Sequence, residues 1–157
     1  MQKYLITSRE FYTDTPAIFR NILHEQFREH MPTYALYRDK SNPNYAIQAA
    51  HFVEVCTQFG TIKSFIHQHV DLAKELNATG VHLTSKQFDE IAEAKSKGLE
   101  VIDDEEYKKA LIKTMKEKAR KVKIDNKFEK SAQIIRFAQS RGFEPELIHR
   151  YLNEVLK

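Results

Sequence analysis

Five short apolar runs alternate with amphipathic stretches along the first 102 residues, and this alternation restricts the possible folds more than any other feature. The runs lie at residues 4–7, 34–37, 62–66, 80–83 and 99–102. Each is four or five residues long and mostly apolar, as expected for strands that are covered on both faces. Strands that alternate with helices over short loops form a parallel sheet with right-handed crossovers.

The amphipathic stretches carry readable helix signals. Thr15-Pro16 and Asn42-Pro43 each place a capping side chain before a proline at the first helical position. Apolar residues recur at helical spacing after both pairs, which predicts two long helices. Two shorter helices are predicted at about residues 70–76 and 86–97, the second ended by Gly98.

Strand signals stop after Ile102, and three helical patterns follow. They cover about residues 103–122, 128–141 and 144–155, and the apolar positions, which include Tyr107 and Phe128, predict a shared core. The fold class is therefore predicted as α/β. A five-stranded parallel (β/α) partial barrel or half-barrel-like sheet over residues 1–102 precedes a small three-helix bundle over residues 103–157.

The net charge of +3 is unevenly distributed between these two segments. Residues 103–157 carry fourteen Lys or Arg against ten Asp or Glu, whereas residues 1–102 carry eleven against twelve. A helix dense in cations can bind phosphates or an acidic partner, although most charged helix surfaces are simply solvated. The candidate partner-binding residues are Lys113, Lys116, Lys118, Arg120, Lys121 and Arg141.

The sequence argues against a membrane-spanning protein and against a secreted one. No apolar run approaches the ~20 residues that cross a bilayer, and the first residues do not resemble a signal peptide. We therefore expect a cytoplasmic protein that does not contact membranes. The single cysteine, Cys56, lies in the apolar pattern of a helix, which favours a buried thiol over a nucleophile.

Four blocks in the first segment resemble thiamine-phosphate synthase and its TenI-like relatives. They are Lys-Tyr-Leu-Ile-Thr at 3–7, Tyr-Arg-Asp-Lys at 37–40, Val-Asp-Leu-Ala at 70–73 and Ala-Thr-Gly-Val-His-Leu at 78–83. The resemblance covers roughly the first 100 residues and keeps the blocks in order. It implies the fold of a (β/α)8 barrel. It also implies the activity of an enzyme that uses magnesium to join a pyrimidine pyrophosphate to a thiazole phosphate.

The residues that the resemblance assigns to the site are only partly present. Arg38 and Lys40 match the family's arginine-x-lysine, which implies a grip on phosphate or pyrophosphate. His67-Gln68-His69 stands where the family has asparagine-aspartate-arginine, and residues 84–87 lack the second metal carboxylate. Magnesium is expected only if such a site functions. Helices also replace the later strands, so we predict phosphate binding at most, without complete catalysis.

Three histidines suggest an alternative site. His67 and His69 lie on or just past the third strand and His82 near the end of the fourth, so their rings could converge on a zinc ion. Ordinary polar histidines at the loops are the other interpretation. The sequence leaves both open. Unpaired edges of a five-stranded sheet could also pair two copies of the chain in a homo-oligomer.

The second segment resembles the last three-helix repeat of RecX regulators. The clearest block is Arg-Phe-Ala-Gln-Ser-Arg-Gly-Phe-Glu-Pro-Glu-Leu-Ile at 136–148, and the match spans about 55 residues. The resemblance implies a non-catalytic module that contacts the RecA recombinase or nucleic acid. Three interpretations follow: an inactive synthase-like fragment fused to this module, a RecX-like regulatory binding protein, or a recombined or engineered chimera without an evolved function.

Overall fold

The computed structural model describes residues 4–7, 15–39, 42–84, 87 and 89–156. The chain divides into two compact units, Met1–Asp104 and Glu105–Lys157. The first is an α/β unit, and the second contains helices but no strand among the residues that the structure describes.

The α/β unit is built on one parallel sheet. Its strands are β1 (Tyr4–Thr7), β2 (Tyr34–Tyr37), β3 (Lys63–His67), β4 (Gly80–His82) and β5 (Glu100–Ile102). They pair in chain order, β1-β2-β3-β4-β5, as in a (β/α) barrel. The predicted five-stranded parallel sheet is confirmed, although β3 begins and ends one residue later than its apolar run.

Four helices cover one face of this sheet. They are α1 (Pro16–His30), α2 (Tyr45–Phe59), α3 (Val70–Glu75) and α4 (Glu90–Ser96). Alternate strand residues, among them Leu5, Ala35 and Val81, form a single hydrophobic cluster with buried residues of these helices, such as Phe19 and Phe52. One side of every strand therefore faces the helices, and the remaining side chains face the opposite side of the sheet.

The start of α2 differs from the prediction. The helix begins at Tyr45, with Asn44 as its N-cap, rather than directly after Asn42. The Asn42 side chain instead donates from Nδ2 to Asp39 Oδ2 (2.9 Å) and accepts from the Asn44 backbone N–H (2.8 Å). Its amide is thus occupied within the loop after β2, and the predicted capping role of Asn42 is wrong.

The second unit contains three helices, α5 (Asp104–Lys121), whose first residue still belongs to the first unit, α6 (Lys127–Ser140) and α7 (Pro145–Leu156). Tyr107 is buried, and its ring meets Phe143 edge-on at 5.5 Å, which confirms its predicted core position. Phe128 is 84% exposed, so its predicted core position is wrong. At about 100° per residue, Phe128 lies about 100° around α6 from the buried pair Ile134 and Ala138.

Among the helices that the structure describes, none combines the length and the apolar character needed to span a membrane.

Candidate functional site

A row of polar side chains crosses the sheet where the strands end. Tyr37 is level with Ile66, and His67 is level with His82, so Arg38 falls in the same row as the two histidines. The Arg38 backbone N–H still donates to Thr7 O (3.1 Å), so β2 remains paired here. Since Tyr37 packs among the helices, strand alternation places Arg38 on the opposite face. We call Arg38, His67 and His82 the strand-end row.

The two histidines of this row contact each other. His67 Nδ1 lies 2.9 Å from His82 Nδ1, and each residue is only 2% exposed. One ring must donate the hydrogen and the other must accept it. His82 Nε2 lies 3.9 Å from Asp104 Oδ1, and this carboxylate is about half exposed. A buried imidazole pair therefore connects the middle of the row to a carboxylate at the start of α5.

Tyr45 holds the ends of β2 and β3 together. Its hydroxyl accepts from the His67 backbone N–H (3.0 Å) and can donate to His67 O (3.1 Å) or to Tyr37 O (3.4 Å). Burial raises the pKa of Tyr45 above its usual value, so the phenol stays protonated at neutral pH. The hydroxyl therefore supports the backbone from which His67 projects. Tyr45 is not predictable as part of the site from the sequence, because a tyrosine at a helix start carries no local signal for this contact.

His69 does not join the other two histidines. Gln68 has a φ of 68°, so strand alternation ends between His67 and His69. The His69 ring packs against Tyr45 with ring centroids 4.8 Å apart. The structure thus brings two of the three candidate zinc ligands together. Among the residues it describes, no group of three or more His, Cys, Asp or Glu side chains could hold a metal ion.

Among the residues that the structure describes, the donors at the strand ends do not fit the magnesium ion that the synthase resemblance implies. Mg²⁺ prefers six oxygen ligands in octahedral geometry, whereas His67 and His82 offer ring nitrogens. Asp39 is buried and accepts a hydrogen bond from Asn42. The Gln68 backbone oxygen accepts from Gln87 Nε2 at 3.1 Å. The chemistry of the site must therefore be derived without this ion.

Carboxylates do line a groove beside α3 and α4, but they are not assembled around a metal. Asp71 and Glu93 both contact Lys97 Nζ, at 2.6 and 3.1 Å. The same groove is lined by His69, Glu75 and Glu90, among others. The ion pairs with Lys97 explain why these acidic residues can lie close together.

The remaining candidate residues lie in different places. Lys40 lies outside the described residues. Lys118 Nζ lies 5.1 Å from the centre of the Phe137 ring, and the Arg141 guanidinium lies 4.7 Å from it. Lys113, Lys116 and Arg120 line one shallow groove together with Lys109, Ile112 and Glu117, and Lys121 is exposed. Three of the predicted cations therefore share one groove, two contact the Phe137 ring, and Lys121 belongs to neither group.

Two comparisons relate the chain to known proteins. Residues 3–101 match the family model described as thiamine monophosphate synthase. Among solved structures, the chain is similar to a thiamine phosphate pyrophosphorylase from Pyrococcus furiosus, with 15% sequence identity and a TM-score of 0.45. That alignment covers 99% of this chain and 97% of the other. No curated protein sequence matches the chain.

Proposed function

The chain belongs to the thiamine monophosphate synthase family, and from this premise we propose that it binds a phosphorylated ligand at the carboxyl ends of its strands. The observation that carries the proposal is the strand-end row, in which Arg38 is level with the buried pair His67 and His82. Ligands of parallel α/β sheets and barrels bind at this end of the strands.

The chemistry of the row suits an anion. The Arg38 guanidinium presents N–H donors in a planar fork that matches two oxygens of a phosphate. Arg38 is partly exposed, although its Nε is buried. The adjacent imidazole pair is buried beside Arg38, and Tyr45 keeps the backbone of His67 in place. Pyrophosphate is the simplest ligand with this chemistry.

We propose further that the chain does not complete the synthase reaction. The described donors do not suit magnesium, which would neutralise the pyrophosphate leaving group in the reaction that the resemblance implies. Helices α5–α7 also follow β5 in place of further strands, whose loops hold phosphate in complete barrels. Incubation with both phosphorylated substrates and magnesium should yield no thiamine phosphate, and steady product formation would contradict this part of the proposal.

Isothermal titration calorimetry with pyrophosphate tests the binding site. Arg38→Ala should weaken binding by about 10-fold or more, because a charge-assisted hydrogen bond typically contributes about 1.5–3 kcal/mol. Arg38→Lys should lose less, since it keeps the charge but not the fork. Arg150→Ala is the matched control, because Arg150 is exposed and pairs with Glu146 in the second unit. Equal affinity of the Arg38→Ala variant and the unmodified chain would reject the proposed site.

A second candidate function belongs to the helical unit. The RecX resemblance of residues 103–157 implies a regulator that contacts RecA. The contacts of Tyr107 with Phe143, Lys118 with Phe137 and Lys108 with Tyr151 favour it, because they hold α5, α6 and α7 in one three-helix module. The protein should then lower the rate of ATP hydrolysis by RecA filaments, and an unchanged rate would contradict this function. If the chain is a chimera without an evolved function, it should neither change the rate of ATP hydrolysis by RecA nor bind pyrophosphate in the calorimeter.

A further inference from the structure

We propose that one face of α5 binds the phosphate backbone of double-stranded nucleic acid without regard to sequence. This basic face consists of Lys109, Lys113, Lys116 and Arg120, which are all exposed. It lies in the second unit and does not involve the strand-end row, so the proposal goes beyond phosphate-ligand binding.

Helical geometry aligns the four cations. Their spacings of four, three and four residues place them within about 60° of arc on a helix that turns about 100° per residue. At about 1.5 Å per residue, the first and last Cα atoms are about 16 Å apart along the axis. The four side chains line a common shallow groove. They therefore form a straight stripe of positive charge rather than scattered surface lysines.

The stripe is not neutralised within the part of the chain that the structure describes, where no ion pair involves any of its four cations. Other cations are paired, as Lys63 is with Glu100 and Arg150 with Glu146. Glu117 lies in the same groove and is four residues from Lys113, yet the two do not come within ion-pair distance. Repulsion between neighbouring cations on one helix face destabilises the helix unless an external anion offsets it.

The position of the stripe is not explained by the helix dipole. Cations are favourable in the last turn of a helix, and this accounts for Lys118, Arg120 and Lys121 at the end of α5. Lys109 lies in the first half of the helix and Lys113 near its middle, where the dipole gives no such benefit. An anion that extends along the helix axis accounts for all four residues of the basic face.

Duplex nucleic acid suits the stripe better than other polyanions. A duplex presents one negative charge per ~1.7 Å of its axis, so about nine charges fall along the length of the basic face. Single strands are usually held by exposed aromatic rings, but the aromatic residue of α5, Tyr107, is buried, and the exposed Phe128 lies on α6. Helices that lie on membranes insert large apolar side chains, and among the described residues of α5 no large hydrophobic residue is exposed.

Fluorescence anisotropy with a short labelled duplex tests the proposal on the full chain. If all four cations contact phosphates, affinity should fall roughly 100-fold between about 50 and 200 mM salt. The double variant Lys113→Glu/Lys116→Glu should bind more weakly and show about half the salt slope. The matched control is Lys127→Glu/Lys130→Glu, which changes the net charge equally at the start of α6. The control should keep the salt slope of the unmodified chain.

Four outcomes would overturn the proposal. Equal losses in both double variants would indicate a general charge effect, and duplex affinity that does not depend on salt would exclude phosphate contacts. Displacement of the duplex by polyglutamate as readily as by unlabelled duplex would assign the face to an acidic protein. If the charge reversal impairs folding, Lys113→Gln/Lys116→Gln provides a milder variant, whose helical content is verified by circular dichroism. Full duplex affinity in this folded variant would also reject the basic face as the binding site.

Discussion

The His67–His82 contact shows how much one pair of side chains can constrain the end of a sheet. Each imidazole is almost fully buried, and each ring satisfies a nitrogen of the other at 2.9 Å. Removing one ring leaves its neighbour without this bond, and an unsatisfied buried polar group costs about 1–3 kcal/mol. The two residues should therefore behave as a unit.

A double-mutant cycle tests this coupling. We expect His67→Phe and His82→Phe each to lower the free energy of unfolding. The loss in the double variant should be smaller than the sum of the two single losses by about 1 kcal/mol or more. Urea unfolding measures the three changes at neutral pH. At a pH at which both rings are protonated, neither can accept the hydrogen bond, so the coupling should decrease. Additive losses at neutral pH would contradict the interpretation.

Gly80 is required by the close approach of its neighbours in the sheet. A Cβ atom at this position would overlap the Glu100 backbone carbonyl and lie 2.6 Å from Cε1 of Phe65. The carbonyl belongs to the paired strand β5 and cannot move aside without disturbing the ladder. Gly80→Ala should therefore destabilise the protein by about 1–3 kcal/mol, as overpacking does elsewhere. An unchanged urea midpoint would show that the strands can separate at little cost.

Cys56 is predicted to be unreactive in the folded protein. It is buried in α2, and this burial raises the pKa of its thiol, so the reactive thiolate is scarce at neutral pH. The prediction of a buried thiol from the apolar pattern is thus confirmed. Labelling with a thiol reagent should be slow in buffer and fast in denaturant. Equal rates in the two conditions would show that the side chain is accessible.

At the level of elements, the ends of the helices differ in how they are capped. The Asn126 side chain accepts from the backbone N–H groups of Phe128 (2.9 Å) and Glu129 (3.2 Å) at the start of α6. Thr15 has the residue type of an N-cap, but its side chain makes no capping hydrogen bond to α1. Asn126→Ala should cost about 1 kcal/mol, because it removes both capping hydrogen bonds. Thermal unfolding measures this loss, and an unchanged midpoint in the Asn126→Ala variant would refute the prediction.

The elements themselves were largely predictable because their signals are local. The observed bounds of β1 and β2 coincide with their apolar runs, and α1 begins at Pro16 as the Thr-Pro pair predicts. The start of α2 was predicted wrongly because the Asn42 amide bonds to the buried Asp39, a contact that depends on how the loop folds. Element boundaries thus follow local patterns except where a side chain finds a partner in the folded loop.

At the level of the whole molecule, the two proposed binding sites lie in different compact units. Arg38→Ala and Lys113→Glu/Lys116→Glu should therefore act independently. We expect the first variant to keep its affinity for duplex and the second its affinity for pyrophosphate. The combined variant should lose both, with additive effects on binding free energy. Calorimetry with pyrophosphate and anisotropy with duplex measure the two affinities in the unmodified chain and the three variants. If either set of substitutions changed the affinity for the other ligand, the two sites would be coupled.

The amino-acid pattern was sufficient for the α/β class, the five strands, the three later helices and the resemblance that the family match then confirmed over residues 3–101. These features depend on hydrophobic period, caps and short motifs, which act over a few neighbouring residues. The strand-end row depends on strand register, which pairs residues far apart in the chain. Only the tertiary structure could therefore place His67 against His82, separate His69 from both and expose Phe128.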